Sequence, residues 1–183
     1  MRPLFALAAL CFVVSFAQPQ EPPAGQNDKS KSPHTDCPMH KVHVQAESDS
    51  ATMNERGNKD MGFSQTKITH HFLLNANGGV IQVEANDPAD TASRDNIRMH
   101  LSHIAKAFSI GDFAIPMFVH DTMPPGVPVM KEQSDKINYK FEETPAGGRV
   151  IIVTTDAKAR DAIQQFLRFQ IAEHKTGDST VVH

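Results

Sequence analysis

Histidine and methionine are frequent in this chain, which holds 10 His and 8 Met but one Tyr and no Trp. His100 and His103 are spaced i and i+3, so a helix through them would place both imidazoles on one flank. Imidazole is the commonest metal ligand near neutral pH, and zinc prefers about four such ligands at ~2.0–2.3 Å. Copper(I) also accepts thioethers. The pattern therefore indicates a copper or zinc ion held by this helix and its neighbours.

Three further residues could complete the ligand set: His70, Met99 and His120. His70 lies on the strand face that also carries Phe72, which should face the helices, and Met99 lies beside the helical histidines. His120 lies in a connecting segment that would close the site. The alternative is that these side chains are incidental, because such histidine spacings occur by chance and methionine often fills core gaps.

A second candidate site lies in the N-terminal region, at Cys37-Pro38-Met39-His40. Its ligands would be Cys37, Met39 and His40, whose thiolate, thioether and imidazole groups suit copper. The run resembles the first half of the Cys-Pro-Met-His motif of bacterial heavy-metal-binding modules. The second element of those modules, Cys-x-x-Cys-Gly-Met, does not occur in this sequence. The alternative is a thiol without a metal.

The first seventeen residues have the features of a secretory signal peptide. A positively charged start precedes the apolar run 4–16, and small residues precede a cleavage point after Ala17. The run is too short to span a bilayer. We therefore expect a periplasmic or secreted protein with no membrane contact after cleavage. Cys37 would then be its single cysteine, which excludes an intramolecular disulfide.

Composition limits the domain organisation and the partners. The chain has 183 residues and a net charge of -3, which argues against nucleic-acid binding. Residues 18–62 contain few large apolar side chains and are expected to form a disordered tether. Residues 63–178 are expected to form the domain, and residues 179–183 a disordered tail.

The domain reads as an internal repeat. The run from Phe72 to Gly79 and the run from Phe141 to Gly148 have the same Phe-to-Gly-Gly spacing, 69 residues apart. Each predicts a β-hairpin, and each hairpin is followed by an amphipathic helix, the two helices being offset by 66. The expected fold is α+β: a duplicated ββα-ββα two-layer sandwich, with a four-stranded, mainly antiparallel sheet and two helices on one face.

The two halves differ where chemistry would be placed. Four histidines of the first half stand where the second half has other side chains: His70 for Tyr139, His71 for Lys140, His100 for Phe166 and His103 for Phe169. The first half is therefore the one expected to bind a metal. Between the halves, the proline-rich run 113–130 predicts a long surface loop. His174, near the end of the second helix, is expected to complement the helix dipole.

Several motifs resemble a family of small exported bacterial proteins without an established activity. The resemblance covers residues 62–178 and rests on five motifs: Gly-Phe-Ser-Gln, Thr-His-His-Phe, Arg-Met-His-Leu-Ser-His-Ile, Pro-Pro-Gly-Val-Pro and Phe-Leu-Arg-Phe-Gln. Some members carry the name aspartate carbamoyltransferase, but this chain is too short for that enzyme and lacks its Ser-Thr-Arg-Thr phosphate loop. The resemblance implies the domain boundaries and bacterial export, and no reaction.

Two functions remain after these exclusions. The first is an exported protein that binds copper or zinc. The alternative is a non-catalytic interaction module that docks a protein partner, or forms a homodimer, through an exposed sheet edge. No Ser-His-Asp order, phosphate loop or carboxylate pair stands out, so the sequence leans against an enzyme and leaves the question open.

Overall fold

Two β-hairpins and two long helices form most of the described chain. The structure is a computed structural model that describes residues 51–59 and 64–183, all within the unit Asp36–His183. The elements in chain order are α1 (51–59), β1 (Ile68–Asn75), β2 (Gly78–Ala85), α2 (Thr91–Ser109), α3 (Ala114–His120), α4 (Val127–Glu132), β3 (Ile137–Thr144), β4 (Gly147–Thr154) and α5 (Ala157–His174). The predicted signal peptide and the Cys37-Pro38-Met39-His40 site lie outside the described residues.

The predicted hairpins are confirmed, and the four strands have eight residues each. In both hairpins a two-residue turn leads directly into a Gly-Gly pair. Gly78 has a φ of +142°, and a Cβ there would collide with Ile152 O of the neighbouring strand β4. A glycine is therefore required at this turn because other residues rarely adopt that backbone conformation.

The sheet has the order β1-β2-β4-β3, and all three strand pairs are antiparallel. Phe72, Ile81 and Val150 are aligned across it and bury their side chains in one core with α2 and α5. The α+β two-layer fold predicted from the sequence is thus confirmed. Helix α2 packs against β3 and β4, whereas α5 packs against β1 and β2, so each outer strand lies under the helix of the other half.

An aspartate is the N-cap residue of each long helix. Asp90 accepts a hydrogen bond from Ser93 N at 3.0 Å, and Asp156 accepts one from Ala159 N at 3.0 Å. Satisfying these free amides is what an N-cap residue does. Asp87, three residues before Asp90, accepts a hydrogen bond from Ala89 N at 2.9 Å in the preceding turn.

The connection between the halves is not the long loop predicted for residues 113–130, because it contains α3 and α4. Pro116 and Pro128 lie in the first turns of these helices, where a backbone N–H has no intrahelical partner to lose. The prolines are therefore compatible with helix. Gly126 before α4 has a φ of +85°, and a Cβ there would collide with Ala162 O of α5.

Both ends of the domain differ from the sequence prediction. Residues 51–59, assigned to the tether, form α1, in which Met53 is buried and Arg56 Nε donates to Val119 O at 2.7 Å. In the predicted disordered tail 179–183, Val182 packs against the core. Short segments with one anchoring side chain escape a composition-based prediction because a single buried residue hardly changes the composition of the segment.

Candidate functional site

A cavity of about 80 Å³ lies between the sheet and the helices and is lined by four imidazoles. His70 comes from β1, His100 from α2, His120 from α3 and His174 from α5. The rest of the lining is apolar apart from Gln170, and it includes no Asp, Glu, Lys or Arg among the described residues. The fold therefore brings four imidazoles together in one otherwise apolar place.

His174 is the centre of the ring cluster. Its ring centroid is 4.9 Å from that of His70, with an interplanar angle of 27°, and 5.2 Å from that of His120, with an angle of 90°. Phe72 lies 5.4 Å from His174 and 6.0 Å from His70. Three histidines from three elements are thus in ring contact beside one phenyl ring.

His120 is the most buried of the four histidines, with a side chain that is 1% exposed. Its Nε2–H donates to Gln170 Oε1, at an N–O distance of 2.8 Å. That bond leaves Nδ1 with the lone pair, and Nδ1 has no hydrogen-bond partner among the described residues. The nearest carboxylate oxygen, Glu173 Oε2, is 3.8 Å away on a half-exposed side chain. A buried nitrogen without a partner is costly, which makes it a candidate ligand atom.

Burial keeps the cluster uncharged. Burial is the main reason that the pKa values of His70 and His100 fall to about 4. The neighbouring His100 lowers the pKa of His70 further, and His103 lowers that of His100. Burial also lowers the pKa of His120, and that of His174 falls well below its usual value because of burial and the neighbouring His70 and His120. These imidazoles are therefore neutral at pH 7, which is the form that binds metals.

The sequence-predicted ligands divide into two groups. His70, His100 and His120 line the cavity together. His103 is exposed and Met99 is 68% exposed, and neither lines the cavity. The predicted pair of helical ligands is thus split, because α2 turns His100 towards the core and His103 towards solvent. Cys37, Met39 and His40 lie outside the described residues.

No three His, Cys, Asp or Glu side chains in the described part of the chain are already arranged to hold a metal ion. The His70 and His174 rings are stacked at an interplanar angle of 27°, so their in-plane lone pairs lie in nearly parallel planes. Metal binding would require these rings to rotate.

His174 is the residue that the sequence analysis misassigned. The offset of 66 between the two helices matches His174 with Phe108, which is buried at 2% exposure. Extending the comparison of the halves to this position would have identified a further histidine that replaces a core ring.

A second cleft of about 350 Å³ borders the same histidine pair. It is lined by the polar side chains of Asn54, Gln65, Thr66, Thr69, Lys175 and Thr176, together with Ile68, His70 and His174. His70 and His174 therefore separate a polar cleft from the apolar cavity, which gives a hydrophilic ligand a path to the rings.

Comparison with protein-family models, with curated proteins and with solved structures finds no match to this chain. None of the described helices has the combination of length and hydrophobicity needed to cross a membrane. The chemistry of the cavity is therefore the basis for a functional assignment.

Proposed function

We propose that this protein is an exported metal-binding protein whose cavity takes a copper(I) ion, with His70, His120 and His174 as ligands. The observation that supports this most is the meeting of three imidazoles from three separate elements, with ring centroids 4.9 and 5.2 Å apart, in an apolar wall. Imidazole nitrogen is a good ligand for copper and for zinc.

The absence of charge in the lining favours copper(I) over zinc. The lining described above holds no carboxylate, so the full charge of the ion would enter an apolar space. The cost of removing an ion from water rises steeply with its charge, and a monovalent ion is therefore easier to place there than a divalent one. Zinc remains the second metal, and a tetrahedral zinc site would need His100 as the additional ligand.

Binding would replace the stacked ring contact by metal bonds. His70 and His174 need only turn about their side-chain torsions, and the cavity of about 80 Å³ gives room for this. The orphaned Nδ1 of His120 would then gain a partner. Access would run through the polar cleft that the same two rings border.

The Cys37, Met39 and His40 set is a second soft site on the chain, so the test must separate the two. We would titrate the purified Cys37→Ser protein with copper(I) against a chromogenic competing chelator, and repeat this with His174→Phe added. We expect the second protein to bind at least about tenfold more weakly, a change of about 1.4 kcal/mol. The control is His103→Gln, which changes an exposed histidine outside the cavity and should leave the affinity unchanged.

Circular dichroism of each variant checks that the fold is retained. Equal copper affinity in the Cys37→Ser protein with and without His174→Phe would contradict the proposal. So would a Cys37→Ser protein that no longer binds copper, because binding would then belong to the N-terminal site.

A further inference from the structure

The two edges of the sheet are treated differently by the rest of the domain. At the β1 edge, Asp178 Oδ2 accepts from Phe72 N at 2.8 Å, and His183 N donates to Leu74 O at 3.5 Å. The C-terminal segment therefore covers that edge. Strand β3 is the other edge, and no described segment pairs with its outer side. An edge strand of this kind presents free backbone donors and acceptors to another strand.

The residues of β3 are complementary to themselves in one antiparallel register. If two copies pair with Phe141 opposite Phe141, each Lys140 lies opposite Glu142 of the second copy, and each Tyr139 lies opposite Glu143. The Cβ atoms of directly opposed residues are about 4.5–5.5 Å apart, so two opposite-charge pairs would form across the strands. Lys140 and Glu142 already pair within one strand at 2.9 Å, so both side chains are on the same sheet face.

Neighbouring registers lack this match. Centring the pair on Lys140 would oppose two lysines, and centring it on Glu142 would oppose two glutamates, both of which are destabilising. Arg98 binds the turn end of the β3–β4 hairpin, where its Nη2 donates to Thr144 O at 2.7 Å and its Nη1 lies 3.0 Å from Glu143 Oε2.

We infer that the β3 edge is a homodimer interface, in which two copies of this chain join their sheets through antiparallel β3 strands centred on Phe141. The occupant is a second copy because the strand carries both halves of the charge pattern. This interface lies at the opposite edge from β1 and does not depend on metal binding.

Sedimentation velocity on the purified protein tests the interface, from about 1 to about 100 µM, a range that brackets a weak specific dimer. We expect the wild-type mass to rise from that of one chain to that of two. Lys140→Glu and Glu142→Lys, each alone, should keep the protein monomeric, because each opposes like charges. The double variant with both changes should dimerise again.

Lys131→Glu is the matched control, since it makes the same charge change on an exposed residue of α4 and should leave the dimer intact. Circular dichroism of every variant confirms the fold. A wild-type protein that stays monomeric throughout overturns the inference. A dimer that persists in both single reversals also overturns it, because the contact would then lie on another surface.

Discussion

The contact between β1 and α5 is equivalent to the contact between β3 and α2, because each joins an outer strand to the long helix of the other half, but different rings pack in the two contacts. In the contact between β1 and α5, the ring of His70 stacks on that of His174, with centroids 4.9 Å apart. In the contact between β3 and α2, the rings of Tyr139 and Phe108 meet edge-on, with centroids 5.8 Å apart. The same arrangement of strand and helix thus carries two imidazoles in one place and two larger aromatic rings in the other.

The residues that cover the two contacts differ in the same way. Over the contact between β1 and α5, the ring centroid of His120 in α3 lies 5.2 Å from that of His174, and His120 lines the cavity. On the second, Phe113 stacks on Phe108 at 4.3 Å and is fully buried. The second contact is therefore packed with aromatic rings, of which Phe108 also reaches the cavity wall, whereas the first contact supplies imidazoles to that wall.

Under the proposed function, this difference separates the contact that packs the core from the contact that would bind the metal. An aromatic version of the contact, made by Tyr139 and Phe108, exists within the same molecule, so imidazoles are not needed to hold a helix on an outer strand. Burying polar nitrogens without full hydrogen bonding costs free energy. The histidine version is what a binding site requires, and the aromatic version is what packing requires.

The largest expected effect comes from moving an imidazole into the aromatic contact. Phe108→His should lower the free energy of unfolding by about 3–4 kcal/mol, because it removes a buried phenyl ring and adds a polar group among apolar neighbours. Urea unfolding followed by circular dichroism measures this. Phe108→Leu is the control and should cost less, about 1–2 kcal/mol. A histidine at position 108 that costs no more than the leucine would contradict the difference between the contacts.

The histidine contact should also make stability depend on pH. The pKa values of His70 and His100 fall to about 4 in the folded protein, against 6.5 in the unfolded chain. As the pH falls below about 6.5, the unfolded chain binds protons that the folded protein does not, so stability is lost between about pH 6.5 and pH 4. The loss should be on the order of 3 kcal/mol for each such imidazole.

Urea unfolding at several pH values measures how steeply the free energy of unfolding falls as the pH is lowered. His174→Phe, which removes one of the buried imidazoles, should make this dependence shallower. The titratable and charged groups facing the rings are His71, His103, Glu173 and Arg56. At His120, the hydrogen bond to Gln170 and the carboxylate of Glu173 both oppose the lowering of the pKa. A free energy of unfolding that stays constant from pH 7 to pH 5 would show that the cluster is not held neutral by burial.

The smallest effect is expected when the aromatic ring is moved into the histidine contact. His174→Phe should change the free energy of unfolding at pH 7 by no more than about 1 kcal/mol, because a ring of similar shape replaces a neutral imidazole. Thermal and urea unfolding without added metal check this. A loss of more than about 3 kcal/mol, the range of a disrupted core contact, would mean that His174 is structural. Its effect on copper binding would then say nothing about ligation.

Local patterns explain which parts of this fold were predictable. The Gly-Gly pairs and the alternation around Phe72 fix the hairpins within a few residues of chain, so both hairpins followed from the sequence. The helices α3 and α4 did not, because Pro116 and Pro128 in a first turn look the same in sequence as prolines in a loop. Residues 51–59 depend on contacts with α3, which no local pattern records.

The candidate site shows the same division. His70, His100 and His120 were expected to meet, and the structure places them around one cavity. The role of His174 depends on α5 lying over β1 of the other half, and that placement is set by the strand order β1-β2-β4-β3. Helix periodicity alone could not separate His100 from His103, because both lie on the flank of the apolar stripe.

X-ray absorption at the copper edge of the copper(I)-loaded Cys37→Ser protein tests the proposed site most directly. The account predicts a first shell of nitrogen with the outer-shell scattering typical of imidazole, and the loss of that signal in the protein that also carries His174→Phe. A sulfur-containing shell, or a spectrum that His174→Phe leaves unchanged, would contradict it.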